Sequence, residues 1–456
     1  MYITRLVFTA TVGLLMLSMN SLAAEPLRVG KFIVDVSPPI GSPMAYDICD
    51  AVGMPLTARG VVLVGSGKPI VMCAVDWIGI SNDGYERWRE IIAKATGTTV
   101  ERVAIHCLHQ HDAPRCDFSV EQLAVERGIG GLMFDVAFTR DAIKRVAAAA
   151  KQAVDVAVEV THVGLGQAKV EKVASSRRIL GEDGRVRVTR FTATADPKVR
   201  AEPEGTIDPF LKSISFWKDD NPVVVITYYA THPQSYYRTG IASPDFPGIA
   251  RFLRQTTLNG LTHVHFNGAG GDIGAGKYND GSPENRQVLA VRLAEGMAKA
   301  LKATEKHPIT ADDVSWKTVP VVLPVSKHLD EKDLVAKLND KEIPATTRIY
   351  IAKDLIWLRR CQSGDTIDLT CLTLGQARVI SLPGEAGIGY QLAAQKIRPD
   401  LFVAVAAYGD YAPGYICMKE QYSQGGYEAS PGASKVSPEV EDVLISGMKE
   451  LLGESK

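Results

Sequence analysis

Three stretches of this chain place imidazole or carboxylate groups directly after apolar runs, where a strand would end and expose them. The densest is His106-Cys107-Leu108-His109-Gln110-His111-Asp112-Ala113-Pro114. It follows the apolar run 103–107 and ends at a proline, so it reads as a strand end and loop. In an extended chain, positions i and i+2 face the same side, which would put His109 and His111 in one pocket. Imidazole is neutral near pH 7 and offers a ring nitrogen to a cation, which makes it the commonest metal ligand. Hydrogen-bonded loop histidines also produce a lone His-x-His, so the spacing by itself leaves both readings open.

The second stretch is Tyr228-Tyr229-Ala230-Thr231-His232-Pro233, where the apolar run 223–227 leads to a histidine before a proline. Enzymes of the α/β class gather their chemistry at strand ends, although one such histidine also fits a satisfied core residue. The third is Leu382-Pro383-Gly384-Glu385, a turn after the apolar run 377–382. Its carboxylate suits a metal ligand, a base or a helix N-cap partner. Two tyrosine-bearing turns follow, Pro413-Gly414-Tyr415-Ile416 and Gly425-Gly426-Tyr427-Glu428, of a kind that ordinarily packs or forms interfaces. Asp245, in Ser243-Pro244-Asp245, opens a predicted helix whose N-terminus would stabilise its charge; a structural cap is the equal reading.

The glycine-rich stretch Asn267-Gly268-Ala269-Gly270-Gly271-Asp272-Ile273-Gly274-Ala275-Gly276-Lys277 nearly spells a phosphate-binding loop over 271–277. Tyr278 stands where such a loop needs a magnesium-binding Ser or Thr, so the nucleotide reading is rejected. The five glycines are expected instead to let the backbone approach a ligand closely.

The elements that must position these groups follow from the hydrophobic pattern. Strands are predicted over 27–34, 60–64, 69–77 and 103–107, and a helix over 85–96 that Gly97 stops. An Ala-rich helix over 141–157, a strand near 158–163 and a hairpin turn at 181–184 come next. Strands at 211–217 and 223–229 precede helices at 244–255 and 283–303. The stretch 328–341 reads as charged and solvated. One bent strand or two span 367–380, followed by a helix at 387–396, a strand at 401–408 and a helix at 440–452. Strands and helices mix without strict alternation, so the expected fold is α/β (mixed α+β). It should have layered mixed sheets flanked by helices in a single large catalytic domain, not a barrel or sandwich.

Composition narrows the classes. The 456 residues are 46% apolar and 23% charged, which supports a large core and argues against disorder. A net charge of −1 points away from nucleic acid and from polybasic membrane contacts. Residues 1–23 read as a signal peptide: Arg5, an apolar run over 6–17, then Ser21-Leu22-Ala23 at the cleavage site. The run falls short of the ~20 apolar residues of a membrane span. The mature chain, 24–456, is expected to be exported to the periplasm or beyond, with no transmembrane segment. Seven cysteines leave at least one unpaired; Cys107 with Cys116, or Cys361 with Cys371, could bridge. No CxxC motif suggests a cysteine zinc site.

Taken in order, a set of motifs resembles the neutral/alkaline (non-lysosomal) ceramidases across residues 28–430. They are Asp35-Val36-Ser37-Pro38-Pro39, Ala58-Arg59, the His-x-His-x-x-Pro loop, His232, Gly271-Asp272, Leu382-Pro383-Gly384-Glu385, and Gly414-Tyr415 with Tyr427-Glu428. The resemblance implies one zinc ion per chain, held by His109, His232, Glu385 and Tyr415. It implies that His111 handles protons or substrate, that Tyr427 stabilises the oxyanion and that Arg177 contacts the substrate. The side-chain types suit this task. Zinc with an open position brings the pKa of bound water to ~7, a neutral histidine moves protons, and a phenol donates to an oxyanion.

The expected function is zinc-dependent hydrolysis of an amide-type (N-acyl) bond by metal-activated water, on a small-molecule, lipid or glycan substrate. The alternatives are ester or glycosidic hydrolysis on the same scaffold, or a metal-stabilised binding protein without catalysis. Three departures from the family stand out. Gly274 occupies the substrate-binding position of the family's serine, two residues after Gly-Asp, a serine assigned as nucleophile or substrate contact. Ser176 replaces the Asn before Arg177. The C-terminal β-sandwich domain of full ceramidases is expected to be absent.

Overall fold

The computed structural model describes residues 25–453; the predicted signal peptide lies outside the described residues. Three larger sheets are built from the apolar, β-branched runs among them. The first contains β1 (Arg28–Asp35), β2 (Thr57–Gly65), β3 (Gly67–Val75), β4 (Val103–Cys107) and β5 (Val158–Glu159), in the order β4-β3-β2-β1-β5. The second contains β6 (His162–Lys169), β7 (Phe210–Lys218), β8 (Asn221–Tyr229), β9 (His263–Asn267) and β10 (Glu305–Pro308), in the order β9-β8-β7-β6-β10. The third runs in chain order through β11 (Val314–Val321), β12 (Ile367–Leu374), β13 (Ala377–Ser381) and β14 (Phe402–Ala406).

Each sheet is antiparallel except for one parallel pair at an edge: β3 with β4, β8 with β9, and β13 with β14. A parallel pair sends both C-terminal ends the same way, so Val75 lies beside Cys107, Tyr229 beside Asn267 and Ser381 beside Ala406. Backbone bonds join the three edges. Cys107 N donates to Tyr408 O at 2.8 Å, and Ala407 N donates to Asn267 O at 2.9 Å. The strand ends of three sheets therefore open onto one place, where α/β folds put their chemistry.

Alternation along the strands explains the layers. In β2 and β3, Val61, Leu63, Ile70 and Met72 face a core shared with Ile214, Phe216 and Val264 of the second sheet and Leu372 and Val379 of the third. Val62, Val71, Cys73 and Val75 face the opposite way, against helices Asn82–Thr96 and Val136–Asp155. Helices Asp245–Thr257 and Glu284–Lys302 cover the outer face of the second sheet. The result is helix–sheet–sheet–helix layering without a closed barrel, as expected. Each fully buried Val, Leu or Ile contributes about 1.5–3 kcal/mol relative to exposure.

The stretch 328–341 is not simply solvated. It contains helix Glu331–Asn339, capped by Asp330, which accepts from Asp333 N, and it buries Leu334 and Leu338. Two buried positions four residues apart suffice to dock a helix whose other faces stay charged. Nothing in the sequence pattern predicts helices Phe118–Glu126 and Ala345–Ser363. In the latter, Ile349, Ala352, Leu355, Trp357 and Leu358 are buried around more than one face, which blurs the amphipathic stripe. All seven cysteines are free, so neither suggested bridge forms. No described helix is long and apolar enough to cross a membrane.

Candidate metal centre

His109 sits two residues past β4 with φ of 68°, a left-handed conformation that a residue with a Cβ adopts at a cost of roughly 1–2 kcal/mol. Its backbone N donates to Trp77 O at 2.9 Å. Its Nδ1 lies 2.6 Å from Ile78 O, which places the ring proton there and frees Nε2. His111 shares the pocket as expected, but not through strand alternation. Residues 108–113 leave the strand, and the left-handed turn at His109 swings the next residues round. The His111 ring stacks on Tyr46, with centroids 5.5 Å apart and planes 3° from parallel.

His232 lies three residues past β8, its N donating to Ile273 O at 3.2 Å. Glu385 follows Gly384, whose φ is 54°; a Cβ there would press on Gly414 O. Only glycine tolerates both the torsion and the approach. Glu385 N donates to Gly414 O at 2.8 Å, and Glu385 pairs with Tyr415 in a short parallel bridge. That bridge sets the tyrosine beside the carboxylate.

The donor atoms converge. Ligand nitrogens of His109, His111 and His232 all lie within 4.8 Å of one another. Glu385 Oε2 is 3.2 Å from His109 Nε2 and 3.8 Å from His232 Nδ1. Two atoms bound tetrahedrally to one ion at ~2.0–2.1 Å stand about 3.3 Å apart, so these spacings fit a shared cation. His109 Nε2, His111 Nδ1, His232 Nδ1 and Glu385 Oε2 are all buried and have no hydrogen-bond partner. Buried polar atoms are ordinarily satisfied, and His106 shows the contrast. Its Nδ1 meets Ala407 O at 2.8 Å and its Nε2 meets Ser381 Oγ at 3.1 Å, a structural histidine in the same segment. The residues therefore fit a metal cation.

Electrostatics agree. Burial lowers His111 and His232 well below the usual histidine value, helped by the neighbouring His109 and Arg177, so both imidazoles are neutral and able to ligate at pH 7. Burial works to raise Glu385, but His109, Tyr411 and Tyr415 outweigh it and hold the carboxyl below its ordinary value. The metal-free protein should consequently weaken on acidification. Burial also lowers His106 to about 4 and His265 to about 3. Below the unfolded value of ~6.5, the unfolded chain takes up protons that the folded chain refuses. Stability then falls by up to ~1.4 kcal/mol per pH unit for each such histidine. Above that value both states are neutral and the dependence vanishes. Urea denaturation in a chelator, between about pH 7.5 and pH 5, should show this slope; a flat profile would contradict it.

Arg177 joins the centre from the side. Its guanidinium donates from Nη1 to Tyr415 Oη at 3.1 Å and lies 5.6 and 5.4 Å from the Tyr415 and Tyr427 ring centroids. Glu428 balances it, with Oε1 3.1 Å from Arg177 Nε and Oε2 3.3 Å from Arg178 Nη1. Tyr427 is 43% exposed at the rim, its ring 5.5 Å from that of Tyr415. Asp245 proves to be a buried anchor: its Oδ2 accepts from Ser235 N at 3.0 Å and faces Arg286.

The glycines of this loop pack closely against protein. A Cβ on Gly270 would lie 2.7 Å from Thr231 C, and one on Gly271 would collide with Glu385 O. These glycines let the His232 and Glu385 segments close up. Asp272 accepts from Ile388 N and Gln421 Nε2, both at 2.8 Å, and Lys277 Nζ donates to the carbonyls of Arg200, Ala201 and Glu202. No free lysine remains for a phosphate there. Gly274 pairs with Ser175, and a Cβ on it would lie 2.8 Å from Thr192 Cγ2, so Thr192 fills the space a serine would need.

Three residues of the centre, Tyr411, Tyr408 and Tyr46, escape the sequence reading, and Glu428, named there in a motif, is assigned no role. Tyr411 donates to Glu385 Oε1 at 2.6 Å. Tyr408, with φ of 60°, stacks on His109 at 4.6 Å, Tyr46 stacks on His111, and Glu428 holds Arg177. The turn Tyr408-Gly409-Asp410-Tyr411 does follow a predicted strand, the signal that marked Glu385. Tyr46 lies in irregular chain and carries no such signal.

Fold and site together define a layered α/β protein with a buried histidine–carboxylate centre able to hold a metal cation. No protein-family model matches the chain, and no curated protein does either. Solved structures do. A ceramidase complexed with C2 aligns with a TM-score of 0.68 at 15% identity, over 94% of this chain and 75% of its own. A neutral ceramidase from Pseudomonas aeruginosa aligns with a TM-score of 0.68 at 15% identity, over 94% of this chain and 74% of its own. The chain has the fold of the neutral ceramidases.

Proposed function

We propose that the protein is an exported zinc-dependent hydrolase of an amide-type (N-acyl) bond. The observation that carries this reading is the convergence of four unpartnered donor atoms at a cleft of about 610 Å³ lined also by Arg177, Tyr415 and Tyr427. Such a volume suits a small-molecule site. Three of the four donors, on His109, His232 and Glu385, would hold the ion together with Tyr415, whose hydroxyl accepts from Arg177, while His111 stays free beside them; mixed imidazole and oxygen donors suit zinc. Bound there, zinc would act as a Lewis acid and make water acidic enough to react near neutral pH.

The chain's own groups supply the rest. Neutral His111 accepts a proton from the attacking water through Nδ1 and returns it to the leaving amine. The Tyr427 hydroxyl donates to the carbonyl oxygen as it gains charge. Burial holds the Tyr415 phenol well above its ordinary value, and Arg177, fixed by Glu428, works against that from behind the ring. With Gly274 in place of a serine, water is the nucleophile.

The test is amine release from a panel of N-acyl amides, ceramides among them, by zinc-loaded protein, with esters and glycosides alongside. Amide turnover that a chelator abolishes is the expected result; turnover of glycosides or esters alone would defeat the amide assignment. Tyr427→Phe should lower kcat by about 10²-fold with KM little changed, as for loss of one oxyanion donor. An unchanged kcat would remove Tyr427 from the chemistry.

A further inference from the structure

The cleft carries positive charge that the catalytic reading does not use. Arg115 follows His111 by four residues, on a short strand paired with Gly79–Ile80, and Lys353 projects from helix Ala345–Ser363. Both line the cleft, and both pack on one ring: Arg115 Cζ is 5.6 Å and Lys353 Nζ 5.5 Å from the Tyr350 centroid. Each also reaches toward the metal centre by a single aromatic ring. Arg115 lies 5.9 Å from Tyr46, which stacks on His111. Lys353 lies 5.8 Å from Tyr411, which donates to Glu385.

The other charges of this wall are matched and these two are not. Lys435 pairs with Asp354, and Arg177 with Glu428. Asp117, another acid acting on Lys353, is fully buried and engaged by Asn82 Nδ2 and Val120 N. Among the described residues, neither Arg115 nor Lys353 has a carboxylate within ion-pair distance, and Arg115 Nε is buried without a partner. Burial, with Arg115 and Lys435 close by, pushes Lys353 down to about 7. Two half-buried basic groups sharing one aromatic ring lack a counter-charge, and an anion between them would keep both protonated.

We infer that the substrate carries an oxyanion, a carboxylate or a sulfonate-type group, bound between Arg115 and Lys353 one aromatic ring from the scissile bond. This rests on the reading of the cleft as the active site. Arg115 donates from Nη2 to Ala45 O and keeps its buried Nε without a partner, and a guanidinium with such a spare donor beside an ammonium holds these groups by charge-assisted hydrogen bonds.

Calorimetry with zinc-loaded protein tests it, using N-hexanoylglycine, N-hexanoyltaurine and the uncharged N-hexanoylglycinamide. One of the two anionic amides should bind at least about tenfold more tightly than the glycinamide. Preference for the glycine compound would identify a planar carboxylate, and preference for the taurine compound a tetrahedral oxyanion. In Lys353→Gln the preference should fall to about threefold or less, with glycinamide affinity within about twofold of the parent. Lys353→Arg should restore it. Equal affinity for all three, failure of all three to bind, or a preference that survives both Lys353→Gln and Arg115→Gln would overturn the inference; in the last case the metal alone would be reading the anion. Amine release is followed in the same samples. A Lys353-dependent preference without release would sink the hydrolase reading and leave this inference standing, and release indifferent to charge would do the reverse.

Discussion

Replacing His109 with alanine should take the metal content of the purified protein from about one ion per chain to none and lower kcat by ~10³-fold or more. Three of the donor atoms that meet at the centre would remain, but the imidazole nearest Glu385 Oε2, at 3.2 Å, would be gone. The left-handed backbone at 109 is no easier for alanine than for histidine, so any added strain shows in the metal-free proteins and the zinc-dependent increment is free of it. Fold and metal can therefore be read separately. In the parent, zinc at about a thousand times its dissociation constant should add ~4 kcal/mol to stability by linkage. In His109→Ala and Glu385→Ala that increment should disappear, while the metal-free proteins still unfold cooperatively. His111→Ala should keep the ion and lose turnover, because its proposed task is proton transfer. Elemental analysis with thermal unfolding in zinc and in chelator decides the matter. Full metal content in His109→Ala would refute the ligand assignment.

Glu428→Ala should destabilise the protein by about 3–5 kcal/mol, the usual penalty for stranding a buried charge. Its carboxylate is 1% exposed and is shared by Arg177 and Arg178, whose guanidinium groups both lie within 3.3 Å of it. Removing it leaves two buried cations without a counter-charge, one of them, Arg177, packed against Tyr415 and Tyr427. Glu428→Gln keeps the shape and some acceptor capacity and should cost less. Urea denaturation of the metal-loaded proteins measures both. A loss under about 1 kcal/mol for the alanine variant would mean that water or a rearranged partner compensates. The effect should reach the site as well, since Arg177 is held in place by this pair while it donates to Tyr415.

Much of the scaffold could be read from periodicity because it is locally encoded. The run 103–107 is a strand in either view, helix Val440–Leu452 matches its predicted span, and Gly97 ends helix Asn82–Thr96 as expected, in the left-handed conformation. The strand-end positions of His109, His232 and Glu385 were legible for the same reason. Apolar alternation stops where a strand leaves the core, and a polar ligand can begin only there. The helices at Phe118–Glu126 and Ala345–Ser363 were not legible, because their buried positions depend on neighbours from distant parts of the chain.

Residue type and local spacing thus settled which side chains were available for chemistry and at which strand ends they lie. The meeting of three parallel strand pairs settled how they are used. It joins Cys107 to Tyr408 and Asn267 to Ala407 across more than a hundred residues each and turns four donor atoms inward. It also supplies Tyr411, Tyr46 and the Arg115–Lys353 pair, which no local motif announces. Periodicity records only whether a position is buried. The direction of a ring nitrogen and the absence of a counter-charge arise from contacts between segments far apart in sequence, so they come into being only when the sheets pack.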